Sequence, residues 1–310
     1  MGPADQVRIA LAPHQTGNAA TPFRFFWIAT GVLALCFGKV LFDLIRHALN
    51  ESLHSHIFLV PFVSAYLLHL QCAELPRVKR GPNLTSGICW TVAVFSLAGY
   101  AIMRPFLSHN DYLSLTVLSF VCFVFANVAC FLGTAFFKAA AFPILFLLFL
   151  VPLPDFLVNA LEIASQFGSA EVYSWMMNLS GATYYREART FVLPNLTIVV
   201  AQECSGIRSS LVLFITSLIA GHMFLRTTWK KWVLALAVFP LGLIRNAFRI
   251  YILSMASAHW NPDVIHSPIH HRGGPIFFAL SLVPFFLLLL WLRRKDCKRP
   301  NTVISASSPS

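Results

Sequence analysis

The chain has 310 residues, 57% of them hydrophobic and 11% charged, with 29 phenylalanines and a mean hydropathy of +0.69. Soluble domains carry about 25% charged residues, so this composition excludes an ordinary soluble domain and points to an all-α polytopic membrane protein. The net charge of +11 then reads as cytoplasmic loops under the positive-inside rule; no nucleic-acid-binding motif interleaves the basic residues, and nucleic acid is not an expected partner.

In chain order, residues 1–24 are polar, contain Pro and Gly, and lack the apolar core of a cleaved signal peptide, so they are expected to form a disordered cytoplasmic lead. A spanning helix needs about 20 mostly apolar residues, with shorter ones tolerated where the bilayer thins. By that test eight spans are expected, at 25–44, 57–72, 87–103, 112–133, 135–151, 207–225, 232–257 and 275–292. The fourth and fifth are nearly continuous, interrupted only around Gly133 to Lys138. One transmembrane domain is expected over 25–292, followed by a basic cytoplasmic tail at 293–310.

Lysines and arginines in short loops set the orientation. Arg77, Lys79 and Arg80 follow the second span, Arg226, Lys230 and Lys231 the sixth, and Arg293, Arg294, Lys295, Lys298 and Arg299 the eighth. With eight spans and both termini in the cytoplasm, all three clusters and Lys138 fall on the inner side. Segments 50–56, 104–111, 152–206 and 258–274 fall on the outer side, facing the periplasm or exterior of a cytoplasmic (inner) membrane. Within 152–206, residues 156–177 mix apolar positions with Glu162, Gln166 and Glu171. That pattern predicts an amphipathic helix on the outer interface or in a partly polar bundle interior. Two β-rich runs, 190–193 and 196–200, flank Pro194-Asn195 and predict a short hairpin.

The seven cysteines (Cys36, Cys72, Cys89, Cys122, Cys130, Cys204 and Cys297) contain no C-x-x-C pair. An odd, scattered set suits neither a disulfide framework nor a zinc site, and most read as small buried hydrophobes. Cys204 differs. It lies in Glu203-Cys204-Ser205-Gly206-Ile207-Arg208, at the entry to an apolar helix. The positive end of the helix dipole and Arg208, about one turn on, both favour thiolate. Gly206 and its small neighbours suggest close approach of a substrate backbone.

Charges within apolar segments are costly and are functional candidates by default. Arg245 and Arg249 are four residues apart and share a helix face, with Asn246 three before Arg249. Arg249 is 17 residues beyond Trp232, a rise of about 25 Å, which approaches the outer edge of a roughly 30 Å hydrocarbon core. The outer loop before the last span carries His266, His270 and His271, any of which can act as acid, base or hydrogen-bond donor. With Asp263 the only nearby carboxylate, a metal site is not the favoured reading and no cofactor is expected. A thiolate, a cation and a histidine at one depth suit acyl transfer through a thioester.

These residues, in this order, resemble the exosortase/archaeosortase family: Glu203-Cys204-Ser205-Gly206-Ile207-Arg208, then Asn246-Ala247-Phe248-Arg249, then His270 ahead of Gly273-Gly274 and Phe278. Ser55-His56-Ile57-Phe58-Leu59-Val60-Pro61 is similar to that family's early signature. The resemblance implies an eight-span cysteine transpeptidase that acts on exported proteins. Their C-terminal sorting signal would be a short motif such as Pro-Glu-Pro, a transmembrane helix and a basic tail. Cleavage would pass through an acyl-thioester, with transfer to an acceptor that is lipid or surface-polysaccharide-linked, in an exopolysaccharide context. It further implies Cys204 as nucleophile, Arg249 as proton donor and His270 as transition-state stabiliser, with His271 the alternative to His270 and Arg245 the alternative to Arg249. Glu203, Arg208 and Asn246 are supporting candidates. The competing reading is a transporter or polysaccharide-export partner whose arginines bind an anionic substrate and which needs no thiol.

Overall fold

The computed structural model describes residues 20–76, 83–194, 196–200, 206–259 and 274–297. Contacts divide the chain into two compact units, Met1–Pro152 and Leu153–Ser310. Among the described residues six helices are long and apolar enough to cross a membrane, or up to eight segments if each of two bent pairs is one span. The chain is therefore a multi-pass, all-α membrane protein.

In the first unit, helices α1 (Ala20–Cys36) and α2 (Gly38–Asn50) stand where one span was expected at 25–44. They bend by 71° at the break, which falls at Phe37, immediately before Gly38. Helix α3 (Leu59–Leu70) continues a 3-10 segment over Ser52–Phe58. Helix α4 (Leu84–Met103) begins with a capping box, the Asn83 side chain accepting from the Ser86 amide. Helix α5 (His109–Asn127) packs along it and runs on through a π-turn over Val128–Leu132.

Without a hydrophobic driving force between helices in lipid, α4 and α5 associate through small residues and serine hydroxyls. Ser119 Oγ donates to the Ala93 carbonyl at 2.8 Å, and Ser96 Oγ donates to the Leu115 carbonyl at 2.8 Å. Gly133, at φ 91°, ends the π-turn. The fifth span expected at 135–151 is not one helix. It is α6 (Thr134–Ala139), α7 (Ala141–Phe146) and a 3-10 turn over Leu147–Leu150. Pro143 inside the expected span, with no amide to donate, is the physical reason it does not run straight.

In the second unit, α8 (Asp155–Leu179) is the expected amphipathic helix, one residue longer at its start and two at its end. A three-stranded antiparallel meander follows: β1 (Tyr185–Glu187), β2 (Thr190–Leu193) and β3 (Leu196–Val199), in the order β1-β2-β3. The predicted hairpin is its β2–β3 half, with Phe191 opposite Ile198. Phe191 and Leu193 bury against Ala170, Tyr173 and Met177 of α8 and against Ala247 and Ile250 further along the chain.

Helices α9 (Ile207–Phe224), α10 (Thr228–His259) and α11 (Gly274–Cys297) complete the unit. A core of Leu213, Leu234, Val238, Phe285 and Leu289 joins all three. At the end of α11 the Asp296 carboxylate accepts from Lys230 Nζ at 2.8 Å and from the Arg226 amide at 2.8 Å, in a nearly buried ion pair that ties the α9–α10 turn down. The helical part of α11 therefore continues past residue 293, where the tail was expected to begin. Residues 1–19 and 298–310 lie outside the described residues.

Candidate functional site

The strongest polar cluster of the second unit lies where α8, α9 and α10 meet, and glycines create the room for it. A Cβ on Gly168 of α8 would stand 2.9 Å from Leu243 Cδ1 of α10, and one on Gly242 of α10 would stand 2.6 Å from Ser210 Oγ of α9. Backbones that approach this closely bring short polar side chains into reach of each other.

On α8, Gln166, Ser169 and Tyr173 fall at helical spacing on one face, and all three are buried. Asn246 Nδ2 donates to Ser169 Oγ at 2.9 Å, and Tyr173 OH donates to Ser254 Oγ at 3.0 Å. Gln166 Oε1 accepts a hydrogen bond from Arg189 Nη1, whose guanidinium also lies over the Phe167 ring at 5.2 Å. Nearby on the meander, Arg186 donates to the Glu171 carboxylate, and that pairing holds its own guanidinium pKa above the ordinary value. Buried polar groups with partners of this kind fix one arrangement of helices, because leaving any of them unpaired is costly.

Arg245 is the centre of the cluster. It is 8% exposed, and its Nη2 donates both to the Gly206 carbonyl at 3.1 Å and to Ser210 Oγ at 3.3 Å. Nη1 of the same guanidinium is buried and has no hydrogen-bond partner among the described residues. Asn246 beside it is 2% exposed. Arg249, one turn further along α10, is half-buried.

Gly206 adopts φ 64°, ψ 14° as the N-cap of α9. A Cβ there would stand 3.0 Å from Arg245 Nη2 and 3.5 Å from Asn246 Oδ1. The sequence suggested that Gly206 admits a substrate backbone; what approaches it is the Arg245 guanidinium, and its left-handed φ is a second reason for glycine. No side chain caps α9 at Gly206. The Ser210 amide is the first to donate back to the Gly206 carbonyl, at 3.1 Å.

Of the residues expected from sequence, Arg245 and Asn246 meet the start of α9 directly, Arg249 lies on the same helix one turn away, and Arg208 is exposed on α9. Glu203, Cys204, His266, His270 and His271 lie outside the described residues. Ser169, Ser210 and Arg189 had no mark in the sequence, since single serines are common in spanning helices and Arg189 sits in a turn; Gln166 was marked only as a polar position of the amphipathic helix. Among the described residues no group of three or more His, Cys, Asp and Glu side chains is placed to hold a metal ion.

Comparison with known families matches residues 48–287, most of the chain, to a family model described as transmembrane exosortase. Curated proteins and solved structures give no match. The aligned region contains the whole α8–α9–α10 cluster.

Proposed function

The chain belongs to the transmembrane exosortase family, and from that premise we propose that it is a membrane-embedded cysteine transpeptidase. Its substrates are exported proteins that end in a short motif, an apolar helix and a basic tail. Cys204 as thiolate attacks the carbonyl at the motif. The tetrahedral oxyanion collapses to a thioester as the C–N bond breaks, and the leaving amine takes a proton from Arg249. His270, or its neighbour His271, stabilises the charged intermediate. An acceptor nucleophile on a lipid or surface-polysaccharide carrier then opens the thioester and regenerates the thiol. The protein works in the cytoplasmic membrane with its site facing outward and both termini inside.

The observation that supports this reading best is the buried cluster around Arg245 and Gly206. Gly206 is two residues from Cys204, so their Cα atoms are within about 7 Å by chain reach alone. The cysteine is therefore tethered to the start of an uncapped helix that holds a buried guanidinium, and both features favour thiolate. Buried intramembrane arginines are costly unless they serve a site.

Coexpression with a protein carrying the three-part tail tests it. Tail removal is expected with the natural chain and is expected to be lost in Cys204→Ala. Retained processing in a correctly inserted Cys204→Ala variant would overturn the reading in favour of a thiol-independent transporter or export partner.

A further inference from the structure

We infer that the start of α9 and Arg245 together form a binding site for an anionic group of the substrate, a carboxylate or the oxyanion of a reacting carbonyl. This deepens the transpeptidase reading and rests on it. Two independent observations converge. The first is the N-terminus of α9, an 18-residue helix whose N-cap is Gly206 and which has no side-chain cap among the described residues. Its first amides, at Ile207, Arg208 and Ser209, have no acceptor within the helix, because intrahelical bonding begins at Ser210. They carry the positive end of the helix dipole.

The second is Arg245, which is more than nine-tenths buried and is fixed at this N-terminus through Nη2 by the Gly206 carbonyl and Ser210 Oγ. Its Nη1 is left with a buried donor and no acceptor among the described residues. An unsatisfied buried donor on a permanently charged group is expensive, and an incoming anion removes that cost. Planar guanidinium donors beside backbone amides match a carboxylate or a tetrahedral oxyanion better than they match a cation or an apolar group.

The arrangement separates the labour of the two arginines. Arg245 binds; Arg249, half-buried one turn away, is the proton donor of the proposed reaction. Arg245 is therefore a substrate-binding residue in its own right and not a substitute for Arg249.

Two small thiol reagents of opposite charge test the site in native membranes: sulfonatoethyl methanethiosulfonate and its trimethylammonium counterpart, with modification read on the Cys204 peptide by mass spectrometry. A guanidinium and a helix N-terminus within about 10 Å should favour the anionic reagent at least about tenfold. Arg245→Gln should abolish that preference and Arg245→Lys should restore part of it. Arg226→Gln, at the opposite end of α9, should leave it unchanged.

Equal reaction with both reagents, a thiol closed to the anionic reagent, or a preference that survives in a correctly inserted Arg245→Gln protein overturns the inference. So does a preference that emerges only in Glu203→Gln, since Glu203 would then be the internal partner of Arg245. These results are distinguishable from failure of the transpeptidase reading, in which Cys204→Ala still processes the tail.

Discussion

Gly206 concentrates two constraints that glycine alone meets. Its φ of 64° costs an L-residue about 1–2 kcal/mol, and a Cβ would come within 3.0 Å of the Arg245 guanidinium. Gly206→Ala should therefore leave insertion intact, lower tail processing by about tenfold or more, and lower the thermal midpoint in detergent by a few degrees. Wild-type processing in that variant would show that the Arg245–Gly206 contact has no bearing on the reaction. Arg245 and Asn246 were legible in the sequence because arginine and asparagine inside an apolar segment stand out against it. Ser210 and Ser169 were not. A hydroxyl in a spanning helix can bond its own preceding turn, as Thr216 Oγ1 does with the Val212 carbonyl at 2.8 Å, so sequence does not show which serines reach a neighbouring helix.

At the scale of elements, the cluster depends on how closely α10 approaches its neighbours. Gly242 sets the approach to Ser210, and Gly168 sets the approach of α8 to Leu243. Gly242→Ala places a methyl group 2.6 Å from the hydroxyl that accepts from Arg245, and Ser210 cannot give way without releasing that bond. Overpacking of this kind costs about 1–3 kcal/mol, so the variant should lose both thermal stability and processing. Unchanged values for both would contradict the packing described. Gly31, with open space around its position, is the matching control.

The helix α8 and the β2–β3 hairpin were legible because amphipathic and alternating patterns bounded by Pro194-Asn195 are local signals. Strand β1 was not, since three residues carry too little pattern to separate Tyr185–Glu187 from a turn. The break at Phe37 had only Gly38 and Lys39 beside it as a trace, and the apolar residues on either side outweighed them. Pro143 is the trace of the divided fifth span, and hydropathy alone overrode it.

For the whole molecule, composition and hydropathy identify the class: among the described residues, six clear spans and the first bent pair come from apolar segments that predicted spans, whereas the second bent pair counts α8, which the sequence marked as an amphipathic helix, with part of the fifth. The proposed orientation rests on the Lys and Arg clusters alone, which act through insertion and leave no mark in helix packing. The fold brings the two arginines of α10 and the start of α9 into one unit, although Arg208 and Arg245 are 37 positions apart in the chain. That convergence sets a buried cation at the start of α9, whose Gly206 follows Cys204 by two residues in the chain, and it is the physical basis for the chemistry proposed.

The most direct measurement is mass spectrometry of the Cys204 peptide after coexpression with a protein bearing the three-part tail, with and without neutral hydroxylamine. The account predicts an acyl adduct on Cys204 that ends at the cleavage motif, disappears on hydroxylamine treatment and is absent in Cys204→Ala. Tail processing with no adduct on Cys204, unaltered in Cys204→Ala, would contradict it.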